Sequence, residues 1–249
     1  YFMYGKLSYE IDGDIYYPVQ EAKPVLHICK AKFPNESSLS LGITKAMQLD
    51  NTEAESRVIK SRAYPDMKID VAVNRSLIDF YNTYPSAYTN NDKMTYFRVY
   101  ADTPMNEDVK KQIYPALRSC LQGLSEHQAV SRLLNFVQTG FEYEYDETIW
   151  GCDRAFFAEE TLYYPYCDCE DRSILLTRLI RDLLGLDCVL IYYPGHLACA
   201  VNFTQKEKGD YYMYNQKEYT VCDPTYINAP IGVQMPNFKD KEATVVPIK

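Results

Sequence analysis

The sequence predicts an α+β fold in which one helix packs on an antiparallel sheet. Apolar residues recur at helical spacing over 174–184, which indicates a helix with one buried face. Two strand-like runs follow, DCVLIYY (187–193) and HLACAVN (196–202), and Pro194-Gly195 between them is typical of a turn. The first hundred residues are rich in β-branched and aromatic residues, so a β-rich region is expected to precede this core.

Residues 1–102 are predicted to form that β-rich N-terminal region or accessory domain, and residues 103–249 the second domain. Turn-forming residues near position 103 separate strand-like from helical sequence. The strand-like runs of the first region are DGDIYYPV (12–19), PVLHICKAKF (24–33), SLSLGITKAM (38–47), KIDVAVN (68–74) and MTYFRVYA (94–101). This region holds no motif that we can connect with chemistry, so its expected role is to shape a cleft or to bind a partner.

Two helices are predicted next. The first spans about 104–122, because Thr103-Pro104 is a helix-start signal and Gly123 a stop. The second spans 126–139, where Ser125 and Gln128 have the spacing of a capping box.

The helix that follows is predicted to begin at a cysteine. Asp168 suits the N-cap, Asp171 lies three residues later, and Gly185 suits a left-handed C-cap. Cys169 is then the first helical residue, close to unpaired backbone N–H groups and the positive end of the helix dipole. That position favours the thiolate, whereas the neighbouring acids oppose it. A nucleophile at Cys169 therefore requires a positively charged partner.

One of the three histidines is the expected partner. His127 falls in the exposed first turn of a helix, and His27 lies in a strand-like run without catalytic neighbours. His196 opens a strand whose alternation places it on the same face as Ala198 and Ala200. These small residues predict that a helix packs closely against the His196 face, so that a cysteine at the helix start meets a histidine at the strand start.

Asp223 is the candidate for a third member that orients the imidazole. It follows the short β-rich run 219–222 and precedes a proline that stops the strand. The separation is 27 residues from Cys169 to His196 and again 27 from His196 to Asp223. Each separation accommodates one element and a turn, so the three side chains are able to converge.

This arrangement resembles the transglutaminase-like branch of the papain-like cysteine enzymes. The motifs that carry the resemblance cover about residues 125–235: DCEDRSILLTRLIRDLLGL (168–186), YPGHLACAV (193–201) and VCDPTY (221–226), with FEYEYD (141–146) and AEETL (158–162) upstream. The resemblance implies a papain-like core with Cys169 as nucleophile, His196 as general base and acid, and Asp223 as the orienting residue. One departure is Cys167, which occupies a position where the family usually has glycine.

The implied reaction is acyl transfer from an amide. Hydrolysis of a peptide or amide bond is the first expectation, and protein-glutamine transfer the alternative. A binding module that retains the fold without catalysis is a further alternative, supported by the β-rich N-terminal region, the 24 tyrosines and Cys167. Backbone N–H groups at the helix start are expected to bind the oxyanion. Trp150 and Asp168 are candidate substrate or oxyanion residues, because an upstream tryptophan has this role in the family; the alternative role for Trp150 is a cleft wall or core residue.

A zinc site is the alternative to the cysteine nucleophile, because several cysteines accompany the CxC pair. The candidates are Cys152, Cys167, Cys169, Cys188, Cys199, Cys222 and His196. Structural zinc sites use paired C-x₂₋₄-C knuckles, which this sequence lacks. The sequence therefore predicts no metal site and no cofactor, and Cys188, Cys199 and Cys222 are expected to be small buried side chains in strands.

Composition limits the partners. The net charge is −8 and no basic cluster is present, which argues against nucleic acid and anionic membranes. A peptide or protein substrate is expected, with cell-wall peptide among the possibilities. The sequence shows no transmembrane segment and no signal segment. The eight cysteines do not have the spacing of a small disulfide scaffold. The compartment is open on these grounds, and the resemblance alone favours an exported, periplasmic or cell-envelope protein of a bacterium.

Overall fold

The computed structural model describes residues 9–11, 14–16, 43, 45, 46, 49, 55–83, 93–151 and 153–249. The strand predicted at PVLHICKAKF, with His27, lies outside the described residues, as does most of SLSLGITKAM. Two short antiparallel strands, β1 (Tyr9–Ile11) and β2 (Asp14–Tyr16), form a hairpin at the start of the chain. The strand expected within DGDIYYPV is thus confirmed.

The helices of the described residues include one long buried helix, which several of the others contact. Their bounds are α1 (Arg75–Thr83), α2 (Lys93–Asp102), α3 (Glu107–Leu121), α4 (Glu126–Gly140), α5 (Asp146–Ile149), α6 (Ala158–Tyr163), α7 (Cys169–Leu184) and a 3₁₀ turn (Pro236–Phe238). The capping box of Ser125 and Gln128 is present, which confirms the predicted start of α4. The helix predicted from about 104 begins later, at Glu107, because the Asn106 side chain caps it by accepting from the N–H of Asp108.

The remaining strands form a five-stranded antiparallel sheet and two small pairs. The pairs are β3 (Arg57–Lys60) with β4 (Lys68–Val71) and β5 (Glu142–Tyr143) with β6 (Tyr166–Cys167). The sheet contains β7 (Asp187–Tyr193), β8 (His196–Asn202), β9 (Tyr211–Tyr214), β10 (Lys217–Cys222) and β11 (Thr244–Pro247), in the order β11-β7-β8-β10-β9. Every neighbouring pair of the sheet is antiparallel. The predicted α+β class is therefore confirmed.

The prediction of a strand at MTYFRVYA is wrong, because these residues lie in α2. Tyr96, Phe97, Tyr100 and Ala101 are buried, and their spacing of one, four and five residues matches a single helix face. That face packs on α7. Tertiary burial on one side of a helix therefore outweighs the β propensity of this aromatic run. Helix α1 was also missed, whereas β4 falls within the predicted run KIDVAVN.

Helix α7 lies at the centre of the main hydrophobic core. All residues from Cys169 to Ile180 are buried, as expected for a helix covered by neighbours on every side. Ile59, Ile69 and Leu77 of the N-terminal region belong to the same core cluster. The domain boundary near residue 103 stays a prediction, and the described parts on its two sides share apolar packing.

The predicted packing face of β8 is wrong. Leu197, Cys199 and Val201 face the core that contains α7, whereas Ala198 and Ala200 belong to a second, smaller cluster on the other side of the sheet. Helix α7 thus packs on the face opposite to that of His196. The larger side chains bury more apolar area against a helix than two alanines do, which favours the observed orientation.

Among the described residues, no helix combines the length and the apolar composition that a bilayer crossing requires.

Candidate active site

The nucleophile candidate Cys169 is the first residue of α7, as predicted. The backbone N–H of Asp168 donates to Asp171 Oδ2 at 3.2 Å, and Gly185 ends the helix with a left-handed φ of 69°. Both ends of α7 therefore lie where the capping signals predict them.

The Cys169 sulfur lies between an acid and the start of β8. The thiol donates to Glu170 Oε2 at 3.1 Å, and the backbone of Leu197 acts to lower the pKa of the thiol. Ser173, one turn further along α7, donates through Oγ to the carbonyl oxygen of Leu197 at 2.9 Å. The Ser173 contact thus holds the first turn of α7 against the residue that follows His196, although the helix body packs on the other face of the sheet.

His196 and Asp223 form a buried pair at the ends of neighbouring strands. The His196 Nε2 to Asp223 Oδ2 distance is 2.8 Å, and both side chains are at most 4% exposed. Strand register explains the meeting, because Cys199 pairs with Cys222. Asp223 therefore continues opposite Ala198, and His196 is the diagonal neighbour on the same face of the sheet. Since Nε2 is committed to the carboxylate, Nδ1 is the ring nitrogen left for other chemistry.

The second oxygen of Asp223 is occupied by the backbone. Oδ1 accepts from the N–H groups of Thr225 at 2.9 Å and Tyr226 at 3.2 Å, the pattern of an Asx turn. The aspartate thus has both the turn role that Asp-Pro sequences favour and a hydrogen bond to the histidine. Its carboxylate is held in one orientation toward His196.

Two aromatic rings fix the plane of the imidazole. Phe238 stacks on His196 with centroids 4.6 Å apart and an interplanar angle of 21°. Tyr193, the strand partner of His196, lies nearly parallel at 5.9 Å. Sequence reasoning missed Phe238, because it lies 42 positions along the chain from His196 in a short turn with no motif of its own.

Gln138 and Arg172 are two further supporting residues that sequence reasoning missed. Gln138 Nε2 donates to the carbonyl oxygens of Asp223 at 3.1 Å and Tyr226 at 2.9 Å. Arg172, 1% exposed, donates to the Phe141 carbonyl at 3.0 Å and contacts Cys167 Sγ at 3.4 Å. The sequence does contain a signal for both residues. Each is a long polar residue on a helix whose neighbouring positions are buried.

Cys167 is buried beside that arginine, with 2% of its surface exposed. Burial raises the pKa of its thiol, and the charge and hydrogen bond of Arg172 oppose the increase. Its contacts with Arg172 and with the carbonyl of Glu142 at 3.7 Å tie β6 to the surrounding backbone. Packing is therefore its observed role.

The electrostatics around Cys169 differ from the thiolate-favouring site that the helix start suggests. Burial, followed by the charges of Glu170 and Asp168, raises the pKa of the Cys169 thiol well above its usual value. Burial and nearby carboxylates raise the pKa of Asp168 to about 12, and burial raises that of Glu170. The hydrogen bonds and the helix dipole do not offset these effects. Cys169 is therefore a protonated thiol at neutral pH.

A second layer of acids lies behind this group. Burial raises the pKa of Asp146 to about 7, although the Arg154 N–H donates to its Oδ2 at 2.5 Å. Burial also raises the pKa of Glu160 to about 7, opposed by its ion pair with Arg154. Asp171, which is fully buried, has a pKa well above the usual value because of burial and the charge of Glu170.

Trp150 packs within an aromatic cluster. Its ring lies edge-on to Tyr164 at 4.9 Å and to Phe156 at 5.8 Å, and the Arg154 guanidinium lies 4.9 Å from its centroid. Phe156 links the cluster to α7, because its N–H donates to Asp171 Oδ1 at 2.8 Å. These contacts match the role of a wall or core residue, and an oxyanion role for Trp150 stays a prediction.

His127 is on the surface, as expected. Its side chain is 52% exposed, and Nδ1 lies 3.0 Å from Glu207 Oε2.

Two groups of side chains among the described residues have the spacing of metal ligands. In each group one ligand atom from every residue lies within 4.8 Å of the others: Asp168, Cys169 and Glu170 in the first, and Asp146, Asp153 and Glu170 in the second. The sequence did not predict either group, because the first consists of adjacent residues rather than a spaced motif and the second forms only through folding.

No protein-family model matches this chain, and no curated protein matches it.

Proposed function

We propose that this protein catalyses cysteine-dependent acyl transfer from an amide, with hydrolysis of a peptide or amide bond as the reaction. The observation that carries the proposal is the position of the buried His196–Asp223 pair, bonded at 2.8 Å, next to Leu197, whose carbonyl oxygen accepts from Ser173 of the Cys169 helix at 2.9 Å. A nucleophile, a base and an orienting carboxylate in this sequence of contacts suit acyl transfer.

The first step transfers a proton as the nucleophile attacks. The Cys169 S–H proton passes to Nδ1 of His196 while sulfur bonds to the carbonyl carbon and the carbonyl oxygen becomes an oxyanion. The Asp223 carboxylate stabilises the resulting imidazolium through Nε2–H. Because the thiol is protonated at rest, proton transfer accompanies attack and does not precede it as a stable ion pair.

The following steps return the proton and release the product. The oxyanion re-forms the carbonyl, the C–N bond breaks, and His196 gives its proton to the leaving amine. Water then attacks the acyl-thioester, with His196 taking a proton from the water, and the thiol of Cys169 leaves with that proton. Backbone N–H groups in the first turn of α7 are suited to bind the oxyanion of both tetrahedral species.

The papain-like core is part of this proposal. A cysteine at the start of a buried helix, a histidine at the start of an antiparallel strand and an aspartate after the next strand support it, and so do the motifs of residues 168–226. The fold class itself, α+β with an antiparallel sheet, does not depend on it.

A catalytically silent binding module is the second candidate, favoured by one observation. Cys169 is 9% exposed, and the pKa of its thiol is raised well above the usual value. Both properties oppose reaction with an external substrate. The enzyme is preferred because a binding module has no need of a histidine held by a carboxylate and two stacked rings.

The test is turnover of a peptide and amide library by the intact protein and by matched variants. We expect Cys169→Ala to abolish turnover and Cys120→Ala, a thiol on α3, to retain it. His196→Ala should lose activity, and His127→Ala, on the surface, should not. Mass spectrometry of the quenched reaction should find the acyl group on the peptide that contains Cys169.

The acceptor distinguishes hydrolysis from transfer. Turnover in water alone supports hydrolysis, and product formed only when a primary amine is added identifies the transferase alternative. Binding that survives Cys169→Ala, without turnover by the intact protein at any pH, decides for the binding module.

A further inference from the structure

The group of Asp168, Cys169 and Glu170 combines two carboxylates with a thiol at the start of α7. A carboxylate oxygen of Asp168, the sulfur and a carboxylate oxygen of Glu170 lie within 4.8 Å of one another. All three residues are buried, at 7%, 9% and 8% exposure. The proposed reaction uses only the thiol of this group, and neither of the two carboxylates beside it takes part in that reaction.

One oxygen of this group lacks a partner. Asp168 Oδ1 is buried without a hydrogen bond among the described residues. A buried acceptor without a donor costs about 1–3 kcal/mol in general. This orphaned oxygen is an observation separate from the crowding of acids, and it points to a ligand that accepts electron pairs.

We propose that Zn²⁺ binds Asp168, Cys169 and Glu170. Zinc is borderline-soft and takes thiolate and carboxylate together, with Zn–S near 2.3 Å and Zn–O near 2.0–2.2 Å in general. Tetrahedral bonds of those lengths separate the sulfur from an oxygen by about 3.5 Å, and the present distance from Cys169 Sγ to Glu170 Oε2 is 3.1 Å. Zinc therefore takes the place of the proton in the hydrogen bond between Cys169 and Glu170, and one of these two side chains moves slightly outward.

Charge favours the same ion. Zinc binding releases the thiol proton and any proton on the two carboxyl groups to solvent as the metal–ligand bonds form. Three ligand charges and one divalent ion leave a net charge of −1, which suits the helix start, with its partial charge of about +0.5. A hard cation such as Mg²⁺ prefers an all-oxygen site, and the thiol is a poor ligand for it.

Bound zinc occupies the lone pair that attacks the substrate. It therefore holds the enzyme inactive until a chelator or a competing site removes the metal. This regulation rests on the proposed function, whereas zinc binding itself does not.

The experiment measures binding and activity separately on the full chain. Zn²⁺ should protect Cys169 from iodoacetamide, read residue by residue by peptide mass spectrometry, and Mg²⁺ should not. Co²⁺ in place of zinc should give a thiolate-to-metal charge-transfer band that Cys169→Ala removes. Titration calorimetry should show one site lost in Cys169→Ala, and an affinity lowered at least about tenfold in Glu170→Gln and in Asp168→Asn.

The matched control is Asp146→Asn, which alters an acid of the second group and leaves the three proposed ligands. Its zinc affinity should match that of the unaltered protein. Circular dichroism and the urea midpoint establish that each variant is folded. If Glu170→Gln does not fold, Glu170→Asp replaces it, because aspartate keeps the charge and has a shorter side chain.

Several outcomes overturn the proposal: no protection of Cys169 by zinc, the same zinc site in Cys169→Ala, or an equal loss of affinity in Asp146→Asn and Glu170→Gln. Zinc protection in a protein without turnover supports the site and refutes the proposed function alone. Turnover without zinc protection refutes the site alone.

Discussion

The two sides of Cys169 are built in opposite ways. On the strand side, His196 and Asp223 are bonded at 2.8 Å and the second oxygen of Asp223 accepts two backbone N–H groups. On the acid side, Asp168 and Glu170 are buried next to the thiol, their pKa values are raised, and Asp168 Oδ1 has no described donor. In the proposed reaction the strand side receives a proton, whereas burial and the neighbouring acids keep one on the sulfur.

This difference teaches that a cysteine at a helix start is not by itself an activated nucleophile. The dipole and the backbone of Leu197 favour the thiolate, whereas burial and two acids disfavour it more strongly. On the two proposals above, the state of Cys169 depends on what binds next to it, either a substrate that displaces water or a cation that neutralises the acids.

The largest effect should come from the strand side. Asp223→Asn should lower kcat by roughly 10³- to 10⁴-fold, because the amide favours the wrong tautomer of His196 and cannot stabilise its cation. Steady-state kinetics against a substrate found in the library screen measures it. Asp187→Asn, on the same sheet but paired with Lys217, is the control and should keep full activity. A loss of less than tenfold in Asp223→Asn removes the orienting role.

The next prediction concerns Arg172, whose buried hydrogen bonds support the backbone around the candidate site. Arg172→Met should lower the free energy of unfolding by about 3 kcal/mol, because it leaves buried carbonyl oxygens without their charged donor. Urea unfolding followed by far-UV circular dichroism measures the change. Arg118→Met on the exposed side of α3 should change it little. Equal effects from the two variants contradict the assigned role of Arg172.

A smaller effect isolates the acid side. Glu170→Gln should increase the alkylation rate of Cys169 several-fold and move its pH profile to lower pH, because it removes a negative charge 3.1 Å from the sulfur. Iodoacetamide labelling between about pH 7 and about pH 11, a range that extends above the ordinary thiol pKa of about 8.5, gives the profile. Glu147→Gln, exposed on α5, should leave it unchanged. An unchanged profile in Glu170→Gln shows that the acid side acts by burial alone.

The last prediction concerns the pH dependence of stability. Asp146 has a pKa near 3.8 when unfolded and about 7 when folded, so the folded chain binds the proton more tightly. Its contribution to stability is therefore full below the lower value and is lost as pH rises to about 7. Asp146→Asn should flatten the decline of unfolding free energy between those two pH values, measured by urea midpoints. A slope equal to that of the unaltered protein excludes Asp146 as a source.

Local sequence determined the elements that carry the candidate site. The helix bounds at Asp168 and Gly185, the capping box of α4 and the strands that hold His196 and precede Asp223 all depend on neighbours within a few residues. Capping, hydrophobic periodicity and turn chemistry act over that range, so these features could be predicted from the chain alone.

Tertiary structure decided what those elements meet. The strand predicted at 94–101 became a helix because α7 offered an apolar surface, and β8 turned its larger side chains, with Leu197 among them, toward that helix. The stacking of Phe238 on His196 and the raised pKa of Cys169 depend on residues distant in the chain or on burial itself. The sequence determined at which helix and strand ends the thiol, the imidazole and the carboxylate lie. Burial, which no local pattern encodes, decided the protonation state of the thiol.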